Sequence, residues 1–291
     1  MDTSKPANKI KSELPPFKDA VELITNVEIK SDIEEELTFQ IEKAFSKQDL
    51  ERQKVYSFIS LGYRVTLYID FPFKELPYEI RMKVLDVFCT IFNEKWGESW
   101  DTKEASEYLT KNSLRVDGIP IVCTIDYQEH FYGFFSGKLK AIKNLNVNDF
   151  PFYLSLPEKK ESLERAHYFY KKVLNQDTVF ISQEVAIVQS ESKISPYAPF
   201  LYLATFKYLQ KLGCNCHMFW TKTTTKAFEW SLFLRWYPFH YFVKNDLVLI
   251  HSNVSASLDM AKHIFPDTIR RNIKKLISER DHYLCKTKSI T

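Results

Sequence analysis

The chain has 291 residues, of which 45% are hydrophobic and 15% aromatic, with a formal net charge of +3 and five cysteines. That is enough apolar material for one large core or two modest ones, and it excludes collagen-like and low-complexity classes. Glycine is scarce (6 of 291), which argues against a glycine-rich phosphate loop. The near balance of charge sets up no strong polyanion field, so nucleic acid is not expected as a partner.

Residues 1–16 are polar and lysine-bearing, lack the apolar core of a signal peptide, and are read as a disordered lead-in. A helical extension is expected over residues 17–60: Ser31-Asp32-Ile33-Glu34 forms a capping box, and Ile33, Leu37, Ile41, Ala44 and Phe45 share one helical face. Arg64–Ile69 alternates as a strand, stopped by Pro72. A helix follows from Pro77, with Ile80, Val84, Val87, Phe88 and Ile91 as its buried stripe and Gly97 as its end. Thr102–Leu109 reads as a short helix, Ile119–Asp126 as a strand, and His130–Ile142 as a second, more aromatic strand. The Pro-bounded stretch Asn144–Pro157 is expected to be a loop, and Ser162–Leu174 a helix.

The stretch that follows is the most ordered in pattern. Thr178–Gln189 is a β-branched apolar run, Pro199–Leu212 a helix halted by Gly213, Asn215–Thr221 a strand, and Lys226–Trp236 a second helix. Phe239–Val243 and Leu247–Ser252 flank a polar turn and read as a hairpin. Residues 254–291 form a tail in which Asp267–Arg280 is a basic amphipathic helix, expected to dock or to make weak peripheral contact with a membrane. No segment offers the roughly 18 uninterrupted apolar residues of a membrane span.

This order predicts an α/β (α+β) protein with a mixed, largely antiparallel sheet and helices on both faces. It resembles the GCN5-related N-acetyltransferase (GNAT) fold over about residues 61–253, with 144–175 as an insertion. The resemblance implies that the strand at 178–189 splays from its neighbour. A thioester donor, acetyl-CoA or another acyl-CoA or an acyl carrier protein, would lie against the exposed backbone near Ile187 and Val188. The pyrophosphate loop of that family aligns with Lys193-Ile194-Ser195-Pro196-Tyr197-Ala198, so Lys193, Ser195, Tyr197 and Ala198 are the implied cofactor contacts. Pro196, which has no N–H to donate, stands where the family has its central glycine. Thr225 opens the next helix in place of a family asparagine, and Leu232 or Phe233 occupies the position of the family's acid tyrosine, leaving Tyr237 as its substitute.

Glu184, in the middle of the apolar strand, is the candidate general base: burial there would raise its pKa toward the working range. The acceptor implied is a small-molecule or peptide amine. Two other readings stay open: a catalytically silent GNAT-like module binding a protein or lipid partner, and an effector or resistance factor built on this fold. The Cys214-Asn215-Cys216-His217 run has no second ligand pair, and Cys216 and His217 alternate across a strand, so no metal is expected. Scattered cysteines without framework spacing point to reduced thiols and a cytoplasmic location, with secretion as an effector the alternative.

Overall fold

The computed structural model describes residues 54–60, 63–127, 130–188, 198–233, 236–242 and 246–259, together with Gln40, Lys43 and Phe45. Its strands are β1 (Val55–Ser60), β2 (Tyr63–Ile69), β3 (Ile119–Tyr127), β4 (His130–Ala141), β5 (Thr178–Ile187), β6 (Cys216–Lys222), β7 (Tyr237–Phe242) and β8 (Leu247–Asn253). They form one sheet in the order β1-β2-β3-β4-β5-β6-β8-β7. The pairings are antiparallel except β5 with β6, which is parallel. The helices are α1 (Tyr78–Trp96), α2 (Thr102–Asn112), α3 (Leu156–Tyr168), α4 (Ala198–Lys211) and α5 (Lys226–Phe233).

Alternation along the strands decides the layering. Leu67, Cys123, Phe135 and Phe180 face α4, where they bury against Phe200, Leu201, Ala204 and Tyr208. Their neighbours Tyr68, Val122 and Phe134 face the other way, onto Val84, Val87, Phe88 and Phe92 of α1 and Ala105 and Leu109 of α2. Further along that second face, Val179, Ile181, Met218 and Leu249 pack under Ala166 of α3, Tyr170, and the segment carrying Ile142, Phe150 and Leu154. Helices therefore cover both faces. Each large apolar side chain so buried contributes roughly 1.5–3 kcal/mol.

Local chemistry sets the helix ends. Gly97 adopts a left-handed φ of 68° and its N–H caps Phe92 O of α1. Asp101 accepts from Glu104 N while Glu104 accepts from Asp101 N, a capping box that starts α2. Ser155 and Glu158 do the same for α3. The segment 144–157 is thus not a plain loop: it holds short 3-10 turns at Ile142–Asn144 and Val147–Asp149, and α3 begins at Leu156 instead of Ser162. After Tyr168 the helix widens into a π-turn over Phe169–Val173. A buried ion pair pins the segment to the sheet. Lys140 Nζ donates to both oxygens of Asp149 at 2.7 Å, and Asp149 Oδ2 also accepts from Asn146 N.

The N-terminal extension needs correcting at its end. Helix is present at Gln40, Lys43 and Phe45, but Val55–Ser60 is an edge strand paired with β2. Phe45 packs its ring on Tyr56, Phe58 and Tyr208, so this end of the extension is part of the α4-side core. The capping box at Ser31 and the helix expected at Asp267–Arg280 lie outside the described residues.

Candidate active site

Two irregularities meet on β5. The first is a bulge. Gly137 pairs with Ser182 and Ser136 with Glu184, so Gln183 is an extra residue with no partner on β4. A bulge resets the alternation of side chains. Ser182 faces α4, whereas Gln183 and Glu184 both turn to the α2 side, where Gln183 Nε2 donates to Asn112 O at 2.9 Å. Gly137 makes the close strand approach possible. A Cβ there would lie 2.4 Å from the Phe180 ring and 2.5 Å from Ile181 O.

The second irregularity is the parting of β5 and β6. Only Phe180 with His217 and Ile181 with Met218 are in register, and beyond them the two strands are unpaired. Backbone groups alternate in direction along an antiparallel strand. Val188 N donates to Tyr132 O at 2.8 Å, so its amide is spent on the β4 side. The amides of Val185 and Ile187 point the opposite way, toward the gap. Of the two backbone sites expected from the sequence, Ile187 therefore faces the gap and Val188 does not. Val185, Ile187, Tyr202 of α4 and Phe228 of α5 pack against the α4-side core while only partly buried.

A side-chain relay crosses the apex where backbone pairing stops. Ser182 Oγ meets His217 Nε2 at 2.5 Å, and His217 Nδ1 meets Ser252 Oγ at 2.7 Å, joining β5, β6 and β8. Burial pushes the His217 imidazole down to about 3, helped by His251, so the ring is neutral and acts as a fixed link. It is stacked on Phe219 and edged by Phe206 and Trp236. Cys216 faces the opposite core, as alternation requires, and no metal-holding group of His, Cys, Asp and Glu occurs among the described residues.

Glu184 sits just past the bulge and is 7% exposed. Burial pushes its carboxyl up from 4.5 to about 8. A hydrogen bond from Tyr108 pulls it back, and the charge of Glu98 pushes it further up. Tyr108 Oη donates to Glu184 Oε1 at 2.5 Å. Its ring lies in an aromatic wall with Trp100 (5.0 Å), Phe152 (5.7 Å) and Phe88 (5.9 Å). Across the gap, Lys222 at the end of β6 lies over the Trp96 ring of α1 at 4.9 Å. Tyr108 of α2, Glu98 of the α1–α2 link and Tyr153 of the 150–154 segment thus converge on the carboxyl that β5 carries.

Lys193, Ser195 and Tyr197 lie outside the described residues, and Ala198 is the first residue of α4. Thr225 starts α5: its hydroxyl donates to Lys222 O at 2.8 Å and accepts from Phe228 N at 3.3 Å, so it serves as a helix cap. Tyr237 belongs to edge strand β7, three strands from β5, where it stacks on Phe169 and is exposed. It is not beside Glu184. Sequence reading missed Tyr108, Trp100 and Phe152. The Trp100-Asp101-Thr102 junction between two helices was its one available signal.

The strand order, with one parallel pair that parts beside a bulged strand, has the element order expected of a GNAT-like fold. No protein-family model matches the chain, and no curated protein matches it in sequence. Among solved structures, a putative arylalkylamine N-acetyltransferase from the yellow fever mosquito is similar over 66% of this chain and 87% of its own, at 11% identity and a TM-score of 0.46. An N-acyl amino acid synthase from uncultured soil microbes is similar over 67% of this chain and 93% of its own, at 12% identity and 0.44. An uncharacterized protein from Bacillus halodurans is similar over 75% of this chain and 97% of its own, at 7% identity and 0.45.

Proposed function

We propose that the protein is an N-acyltransferase that moves an acyl group from a thioester donor, an acyl-CoA or an acyl carrier protein, to an amine. One observation carries the reading: β5 and β6 part after two register pairs, with a nearly buried carboxyl on the parted strand. The outward amides of Val185 and Ile187 suit a donor that pairs with backbone, and the partly buried Val185, Ile187, Tyr202 and Phe228 suit its apolar arm. In the reaction the acceptor nitrogen attacks the thioester carbonyl, the C–N bond forms, and the C–S bond breaks to release a thiolate. The Ile187 amide is the candidate donor to the tetrahedral oxyanion. Glu184 takes the proton from the attacking nitrogen, and its raised pKa gives it the basicity that step needs near neutral pH. Positioning of the two reactants supplies the rest of the acceleration.

Lys193 and Ser195, which precede α4 in the sequence, are the proposed phosphate contacts. Pro196 favours a second reading, a silent module of this fold that binds a protein or lipid partner, because it removes an amide from that loop. The thiols of Cys89, Cys123, Cys214 and Cys216 are free, in keeping with a reducing, cytoplasmic setting.

Thermal and urea denaturation with and without millimolar acetyl-CoA and longer acyl-CoAs separates the two readings. A donor at a hundred times its dissociation constant adds about 2.7 kcal/mol to the folded state. The absence of any shift with every donor would sink the acyltransferase reading in favour of the silent module.

A further inference from the structure

Glu184 is held by one oxygen only. Oε1 accepts from Tyr108, and Oε2 has no partner among the described residues. The group that holds it is itself immobilised. Tyr108 stands on α2, whose start is fixed by the Asp101–Glu104 box and whose last residue, Asn112, accepts from Gln183 of the bulge. Its ring is wedged between Trp100, Phe88 and Phe152. The phenol therefore approaches from a rigid helix onto a strand whose bulge aims Glu184 at it.

We propose that Tyr108 is a positioning residue for acyl transfer. Its hydroxyl fixes Oε1 of Glu184, orients the carboxylate, and leaves Oε2 to receive the proton of the attacking amine. This role rests on the reading of Glu184 as the base. A donor aimed at a carboxylate also favours its ionised form, against burial and the charge of Glu98 on the α1–α2 link. Tyr153, from the 150–154 segment, also faces Glu184, and burial holds its phenol in the neutral form. Tyr108 is kept protonated first by burial and then by the Glu184 charge, so it stays a donor throughout the cycle.

The test compares wild type, Tyr108→Phe, and a protein with fluorotyrosine incorporated at position 108, which keeps the shape and donates more strongly. Two readouts are taken. One is the carboxyl titration of Glu184 by carbon NMR of glutamate-labelled protein, with the signal identified by its loss in Glu184→Gln. The other is kcat/KM against pH with the best acyl-CoA donor. In Tyr108→Phe the carboxyl titrates at higher pH, and kcat/KM at pH 7 falls about tenfold and recovers under alkaline conditions. Fluorotyrosine moves both curves the other way. A carboxyl titration that stays put in both altered proteins, or that moves without the rate profile, overturns the positioning role alone. Unchanged turnover and pH profile in Glu184→Gln overturn the parent reading and the positioning role with it.

Discussion

Glu184→Gln should make the protein more stable, and by an amount that depends on pH. Glutamine keeps the shape of the side chain and an acceptor for Tyr108, but it has no proton to lose. In the folded wild type, burial raises the carboxyl from 4.5 to about 8. Below pH 4.5 both folded and unfolded chains hold the proton, and Glu184 costs nothing through ionisation. Between 4.5 and 8 the unfolded chain releases the proton while the folded chain keeps it, so stability falls by about 1.4 kcal/mol per pH unit. Above 8 both are ionised, and the penalty is complete. Glu184→Gln should therefore lie within about 1 kcal/mol of wild type near pH 4, exceed it by about 3 kcal/mol at pH 7, and exceed it by about 5 kcal/mol at pH 9. Urea denaturation of both proteins at these three pH values measures the difference. A gap that stays constant with pH would refute the claim that this carboxyl is held neutral by burial, and would remove the physical basis for its role as a base. The stabilised variant should also be the inactive one, since an ionisable group kept in an apolar place is a functional cost to the fold.

Two further outcomes follow from the supports of the site. Asp149→Ala leaves the fully buried Lys140 Nζ without its two 2.7 Å bonds and should cost about 3–5 kcal/mol in urea denaturation, against ~1 kcal/mol for an exposed pair such as Arg165–Glu161. Asp149 also anchors the turn leading to Phe152, so its loss should loosen the wall that holds Tyr108, read as a lowered kcat/KM. Gly137→Ala drives a methyl to 2.4 Å from the Phe180 ring and 2.5 Å from Ile181 O, and should cost about 1–3 kcal/mol with a loss of turnover, measured by thermal denaturation and donor-dependent activity.

Much of the scaffold was legible because its signals are local. The β-branched run at Thr178, the Gly213 stop and the hairpin around Asp246 all fix elements within a residue or two of where they lie. The start of α3 was also legible in principle, since Ser155-x-x-Glu158 is a capping box, but the prolines at Pro151 and Pro157 outweighed it in a reading by composition. Val55–Ser60 was missed because an edge strand is defined by its partner, here β2, which pattern alone does not reveal. At the site, Glu184 stood out as a carboxylate inside an apolar strand. Tyr108 did not, because 76 residues separate it from Glu184 and only the packing of α2 over the bulge unites them. The bulge itself turns Gln183 and Glu184 to one side, which strict alternation would have placed on opposite sides. Val188 fell by the same logic: the direction of an amide is a property of pairing, not of residue type.

Because β5 and β6 share only two register pairs, the sheet behaves as a five-strand plate and a three-strand flap sewn together along a short seam. The Ser182–His217 bond stitches that seam from the α4 side, and His217–Ser252 ties β6 to β8 behind it. A molecule lodged in the wedge would rivet the flap to the plate along the length that the peptide backbone leaves open, completing the sheet with its own groups.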